Sequence, residues 1–280
     1  MRPLKLIGSI LTVLKYILLI ICVAFALLPP IWMLLTSMRS PVEYFSKPPT
    51  FIIKNPTFSN YFAVLQDPQF QLYFINSTFV SLITATIWTI VSIFAGFAFA
   101  RFNFKFKSGL FIMIVFCQMV PLMSLITPLY YIFSCIGLLD NLVALPILYA
   151  INTLPFAIWM SRAAFTYVPT TLEDAAQIDG CSYLQAIFLI SIRVAAPSIA
   201  AIFAFCFIEA WNDYVLAMTF INSASNRTVQ IGIMLYRGFF GTEWGKLMAA
   251  STIASLPIVI LFTYIQKYLV SGFSQGAIKG

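Results

Sequence analysis

Long apolar runs alternate with short polar stretches along most of the chain. A helix needs about 20 apolar residues to cross roughly 30 Å of hydrocarbon. Six segments meet that length: Tyr16–Leu35, Tyr73–Ala98, Leu110–Cys135, Leu142–Met160, Val194–Phe220 and Leu247–Ile265. The second lies inside an uncharged run from Pro68 to Ala100, Pro121 and Pro128 interrupt the third, and the fifth carries Glu209 and Asp213. The pattern predicts an all-α polytopic membrane protein with six transmembrane helices. The run from Tyr16 to Met38 is too long for the apolar part of a signal peptide and lacks an A-x-A site, so it is expected to stay as the first span. The polar stretches 37–72 and 221–246 are rich in Pro, Asn, Ser and aromatic residues. They are expected to form short helices at the membrane surface. No internal repeat is good enough to claim.

Composition agrees. The chain is 61% hydrophobic and 9% charged, against about 25% charged in soluble domains. The net charge of +7 could suggest nucleic acid, but the basic residues are scattered between apolar runs, which fits membrane topology instead. With the N-terminus inside, ten Lys and Arg fall on inner segments and six on outer loops; the Arg101–Lys107 loop holds three bases and no acid. Both termini and the segment 163–193 are then expected on the cytoplasmic side of the membrane. The chain has no histidine, which removes Ser-His-Asp and Cys-His catalysis. It also has no P-loop: Gly245-Lys246 is followed by Leu247 and lacks the glycine-rich lead-in. The five cysteines (22, 117, 135, 181, 206) form no CxxC pair and are expected to be small buried hydrophobes. No metal site and no catalytic residues are expected.

Three of the nine acidic residues, Glu173, Asp174 and Asp179, sit within seven positions. Glu173 lies three after Thr170 and Asp174 three after Thr171, spacings that fit capping boxes and predict a helix starting near Leu172. Gly180 is a natural stop. Ser182 with Gln185 predicts a second capped helix, carrying Leu184, Ile187, Phe188 and Ile190 along the membrane boundary. The small Ala175 and Ala176 would let another backbone approach. A docking helix for a soluble partner and a merely well-capped interfacial loop both remain open.

Asp174-Ala175-Ala176-Gln177-Ile178-Asp179-Gly180, then nine residues and Ile190-Ser191-Ile192-Arg193, resembles the EAA loop of bacterial ABC importer permeases. That motif reads E-A-A, three residues, G, nine residues, I-x-L-P. Asp174 departs from Glu, and Arg193 from Pro. Asn60-Tyr61, Asn76-Ser77, Ala100-Arg101-Phe102-Asn103-Phe104-Lys105, Trp211-Asn212-Asp213-Tyr214 and the end from Ser271 to Gly280 resemble the carbohydrate, maltose-permease type of the binding-protein-dependent transport inner membrane component family. The matches run from about residue 28 to the last residue. The resemblance implies a MetI-like permease core with a cytoplasmic coupling helix: residues 1–72 a first helix and outer loop, 73–270 the core, 271–280 a cytoplasmic tail. It implies a division of labour with a second, homologous permease, two ATPase subunits and an extracytoplasmic sugar-binding protein. ATP and Mg would be bound on the ATPases and no cofactor on this chain. Glu173, Asp174, Ala175, Ala176, Asp179 and Gly180 would couple to the ATPase, and Gly276, Lys279 and Gly280 of the tail would reach toward it. The tail could equally be a frayed end.

Glu209 and Asp213 are four residues apart and expected on one side of the fifth span. Carboxylates in a membrane usually face a cavity or a partner. A sugar-facing role, with Asn212 and Asn152 beside them, and a structural role, paired with Arg227 or Arg237, both remain open. Asn76 fits helix packing better than a sugar contact. Trp32 and Trp244 read as membrane-belt residues, and Arg193 as a base at the inner membrane edge. Two rival classes remain: an ABC permease for a non-sugar solute, and an ion-coupled secondary transporter using the two carboxylates.

Overall fold

The computed structural model describes residues 2–44, 53–238 and 241–276. In chain order the helices are α1 (Arg2–Ser37), α2 (Ser59–Gln66), α3 (Pro68–Arg101), α4 (Lys107–Phe116), α5 (Leu122–Cys135), α6 (Ala144–Tyr167), α7 (Thr170–Ile178), α8 (Tyr183–Ala186), α9 (Ile192–Val194), α10 (Ala196–Asn212), α11 (Val215–Phe220), α12 (Val229–Leu235) and α13 (Trp244–Gly276). A π turn, Ile187–Ser191, separates α8 from α9. Among the described residues the strand content is one two-residue pair, β1 (Arg237–Gly238) antiparallel to β2 (Gly241–Thr242). This small hairpin stands where only short helices were expected.

Four helices contain a stretch long and apolar enough to cross a membrane: Leu11–Ser37, Pro68–Arg101, Ala144–Tyr167 and Trp244–Gln266. Two further candidates are bent pairs, and counting each pair as one span gives six. The expected third span breaks between Met119 and Leu122, where its two arms meet at 97°. The cause is local. Val120 precedes a proline and takes an extended conformation (ψ 121), as the proline ring demands. Pro121 then caps α5, whereas Pro128, also expected to interrupt, stays inside that helix. The expected fifth span is likewise divided. Within Val194–Phe220, α10 stops at Asn212 and α11 takes over at Val215, and at the start of the expected span Ala196–Asn212 meets the upstream arm Tyr183–Val194 at 77°. The last helix outruns its expected end at Ile265 and continues to Gly276.

The chain divides into two units, residues 1–67 with 233–254, and residues 68–232 with 255–280. In the first, Asn60 is a hub. Its side-chain amide donates to the carbonyls of Ser37 (2.9 Å) and Arg39 (3.1 Å) and to the Tyr44 hydroxyl (3.1 Å). Gly245 passes so close that a Cβ there would meet Asn60 Cγ at 2.7 Å. The Arg39 guanidinium lies 4.9 Å above the Trp32 ring, so this tryptophan has a partner within the chain.

The second unit is built on α3, α6 and α10. The buried stripe of α3 carries Ser77, Ser81, Thr84, Ala85, Ser92 and Gly96. Small residues let membrane helices approach closely. Gly96 marks the tightest approach: a Cβ there would lie 2.7 Å from the Arg162 backbone nitrogen and 2.5 Å from Ser161 Cβ. Hydroxyls such as Thr84 and Thr153 donate to the carbonyl four residues back, which satisfies them inside an apolar setting. Trp88 Nε1 ties α3 to α6 by donating to the Pro146 carbonyl at 2.8 Å. Of the five cysteines only Cys206 is buried; Cys181 is half-buried, and Cys22, Cys117 and Cys135 are exposed. An apolar run buries a residue within its own chain only when the face it occupies packs inward.

Candidate functional site

Two places in the second unit gather the polar residues of this apolar chain. The first is the loop from Val168 to Ala195. Pro169, extended at φ −62 and ψ 128, precedes α7, and no side chain caps that end. The capping boxes expected from Thr170 and Thr171 therefore do not form; both threonines lie in the first turn. Glu173 turns inward instead. It is 4% exposed and pairs with Arg101, whose guanidinium reaches both carboxylate oxygens at 2.7–3.0 Å. A charge-assisted bidentate pair is about twice as strong as a neutral hydrogen bond, so the carboxylate goes to the guanidinium rather than to backbone amides.

The rest of α7 divides by face. Ala176 is buried with Glu173, while Asp174, Ala175, Asp179 and Gly180 are exposed. Ile178 is 86% exposed, a large apolar side chain that this chain leaves uncovered. Gly180, at φ +92, ends the helix in a Schellman turn: the Cys181 N–H donates to the Ala176 carbonyl and the Gly180 N–H to the Gln177 carbonyl. The Ser182–Gln185 capping box is fully formed. Beyond it the helix loosens into the π turn rather than continuing as one regular helix, and Arg193 is exposed.

The second place is a pair of cavities sharing Asn152 and Glu209. One, of about 150 Å³, is also lined by Tyr149, Thr153, Asn212 and Asp213. The other, of about 330 Å³, adds Gln118, Phe156 and Phe205. Asp213 lies beyond the end of α10, not one turn along it from Glu209. Its carboxylate accepts from the N–H groups of Leu216 (3.3 Å) and Ala217 (2.9 Å) and from the Tyr149 hydroxyl (3.0 Å). It thus starts α11 while still bordering the cavity. Neither carboxylate forms an ion pair with Arg227 or Arg237 among the described residues. Glu209 is exposed to the cavity. Phe156 and Phe205 pack with ring centroids 4.4 Å apart, forming an aromatic floor.

Asn76 stands apart from both cavities. It is buried, and its amide donates to the carbonyls of Ser225 (2.8 Å) and Arg227 (2.9 Å), pinning a loop to α3. Gly276 is the last helical residue of α13, and Lys279 and Gly280 lie outside the described residues. Sequence reasoning missed Arg101 and Ser191 as partners of Glu173, and Gln118, Tyr149, Phe156 and Phe205 as cavity lining. Gln118 offered one signal, an amide inside an apolar segment. The phenylalanines gave none, being two among 28.

Bent membrane-helix pairs, a polar cavity between α6 and α10, and the two-faced helix α7, closed by a glycine turn, fit a membrane transport subunit. The model of the family "Binding-protein-dependent transport system inner membrane component" matches residues 89–275, and the chain belongs to that family, the membrane permease subunits of ABC transporters. It is 35% identical over 276 residues to the trehalose/maltose transport system permease protein MalG of Thermococcus litoralis, covering 96% of this chain and 98% of the relative. It is 33% identical over 254 residues to the sulfoquinovosyl glycerol transport system permease protein SmoH of Agrobacterium fabrum, covering 91% and 89%. Among solved structures, a chain of a bacterial ABC transporter involved in import of the acidic polysaccharide alginate shares the fold, with a TM-score of 0.77 at 23% identity over 93% of this chain and 96% of that one. A second, an alginate transporter in complex with a periplasmic protein that carries an alginate pentasaccharide, gives 0.69 at 14% identity over 95% and 96%.

Proposed function

We propose that this chain is the permease subunit of a binding-protein-dependent ABC importer that carries a sugar or oligosaccharide inward. On this reading it works with a second permease, two ATPase subunits that bind ATP and Mg, and an extracytoplasmic binding protein, and both its termini and α7 lie in the cytoplasm. The observation that carries the reading is the two-faced α7. One face is fixed to the chain's own helices through Glu173 and Ala176. The other presents Asp174, Ala175 and an 86% exposed Ile178 beside the open turn at Gly180. An exposed short helix with an apolar tip and acidic flanks suits a groove on a soluble ATPase. The sugar assignment is supported by relatives named for trehalose/maltose and sulfoquinovosyl glycerol. It is also supported by the cavity, where amides, a carboxylate and an aromatic floor offer hydrogen bonds and an apolar surface of the kind sugar rings use.

Gly180 supplies the test. Nothing lies within 4 Å of a Cβ built there. The first side-chain atom of a tryptophan here therefore meets open space, at a backbone cost for the left-handed conformation of about 1–2 kcal/mol, and the indole projects from the exposed turn toward the proposed docking face. Gly180→Trp is expected to leave the permease folded in the membrane, to abolish transport, and to leave the ATPases hydrolysing at their basal rate. Normal transport by this variant would sink the docking reading. One observation favours a second reading: Glu209 faces a cavity without an ion-pair partner among the described residues, as a coupling-ion site would. An ion-coupled transporter gives α7 no work, and purification in mild detergent separates the two. Co-purifying ATPase and second permease support the ABC reading, whereas a solitary chain that still transports supports the other.

A further inference from the structure

Glu173 sits on the same short helix as the docking face yet points the other way. Its Oε1 accepts from Arg101 Nη2 (2.7 Å), Arg101 Nε (2.9 Å) and Ser191 Oγ (2.7 Å), and its Oε2 from Arg101 Nε (3.0 Å). Arg101 Nη2 also donates to the Val168 carbonyl at 2.7 Å. The buried Glu173–Arg101 pair thus joins four segments: the end of α3, the residue after α6, α7 itself and the π turn that leads to α10. The surroundings are apolar and close. The Arg101 guanidinium lies 5.8 Å from the Phe97 ring centroid, and the Tyr183 ring borders both Phe97 and Phe102.

The covalent links of α7 cannot do what this contact does. The chain joins α7 directly to α6 and to α8, at a proline and at a glycine turn. It reaches α3 only through space, 72 residues away in sequence. Among the described residues, every hydrogen bond between α7 and α3 passes through Glu173 and Arg101. Ser191 adds the tie to the π turn, a local weak point in helix geometry that lies beside the 77° bend.

We propose that Glu173 does not contact the ATPase but is the positioning residue through which α7 drives α3 and the π turn, with Arg101 and Ser191 as its receivers. Docking belongs to the outward face of α7, and transmission to this inward clamp. The proposal rests on the reading of α7 as the coupling helix. It divides that helix into two separable functions.

The experiment uses the assembled transporter in nanodiscs, with native cysteines replaced and Asn152→Cys introduced at the cavity. Reaction of that cysteine with a membrane-impermeant maleimide is followed with and without ATP and Mg. In the parent complex, ATP is expected to change the labelling rate. Glu173→Gln is expected to retain its ATPase subunits in the same ratio, to label at the parent rate without ATP, and to lose about tenfold or more of the ATP response. Glu173→Asp, which keeps the charge, recovers part of the response. Arg101→Gln combined with Glu173→Gln does no worse than the poorer single variant, as expected of residues acting through one contact. A full ATP response in Glu173→Gln overturns the proposal, and so does loss of the ATPases from it, since Glu173 would then be a docking residue. If Glu173→Gln does not accumulate, Ser191→Ala is read the same way: a reduced ATP response with ATPases retained supports transmission, and a full one overturns it. If the parent complex itself shows no ATP response, the coupling reading fails first and takes this proposal with it.

Discussion

At the scale of single residues, close approach and side-chain hydrogen bonds add to the buried apolar clusters of the chain. Gly96 is packed against main chain, with the Arg162 backbone nitrogen 2.7 Å from where a Cβ would stand. Backbone cannot move aside as a flexible side chain can, so Gly96→Val should lie at the upper end of overpacking costs, about 3 kcal/mol. Gly109, also helical, has nothing within 4 Å and is the matched control. Thermal unfolding in detergent should drop by several degrees for Gly96→Val and barely move for Gly109→Val. Asp140 staples two loops. Its Oδ1 accepts from the backbone N–H groups of Asn222 (3.0 Å) and Ser223 (2.9 Å) and from the Ser223 hydroxyl (2.9 Å). The Ser223 N–H above all, with the hydroxyl, the Asn222 N–H and the Asn226 amide, holds this carboxyl below the usual carboxylate range, against a smaller opposing effect of burial. A depressed folded value means that the stabilisation is present above the ordinary range, about 3.9, and is lost as pH falls through the depressed value. Amide exchange at Asn222 and Ser223 should therefore stay flat from neutral pH down to about pH 5, once the intrinsic rate is divided out, and rise only in stronger acid. Asp140→Ala should exchange quickly at every pH; Asp140→Asn, which tolerates the residue's φ of 57, should fall between.

At the scale of elements, caps and breaks were legible where the signal is local. Ser182 with Gln185 predicted a capping box, and both of its bonds are present, the Gln185 N–H to Ser182 Oγ at 3.3 Å and the Ser182 N–H to Gln185 Oε1 at 2.8 Å. Gly180 predicted a left-handed stop and takes φ +92. The same reasoning failed at Thr170, because a buried guanidinium 72 residues away competes for Glu173 and no window of sequence contains both, and at Thr171, because the helix already starts at Thr170. Arg101 itself read as one of three topological bases, although it is spent on an internal pair. Pro121 and Pro128 looked equivalent in sequence, and only the first breaks a helix. The fifth span read as continuous because Asp213 looked like a second carboxylate on one face, whereas it ends α10 and starts α11. Ser182→Ala removes one half of the box and should cost about 1 kcal/mol. Amides of α8 should then exchange about fivefold faster, with little change at α7, whose Schellman turn closes before Ser182.

At the scale of the whole chain, hydropathy counted the crossings but could not see their breaks. Six apolar runs correspond to four long helices and two bent pairs, and the six-span count holds when each pair is one crossing. Length and composition fix neither the orientation nor whether a bent pair crosses or returns to the side it entered, so the ten-to-six bias in Lys and Arg must be tested directly. Single cysteines in a cysteine-free chain do this. The positions come from exposed residues in connecting segments: Asn103 after α3, Gln177 on α7 and Asn222 after α11. If each pair is a full crossing and the N-terminus is inside, Asn103→Cys and Gln177→Cys should react with an impermeant maleimide only after the membrane is opened, and Asn222→Cys should react in intact cells stripped of outer barriers. The two bends are separately at risk. A third segment that enters and returns would leave only α6 crossing between Asn103 and Gln177, placing them on opposite sides. A fifth that does so would put Gln177 and Asn222 on the same side. Only protection of the first two positions with reaction of the third places α7 in the cytoplasm with both bent pairs spanning; the same agreement and opposition with the sides exchanged keeps both crossings but puts α7 outside.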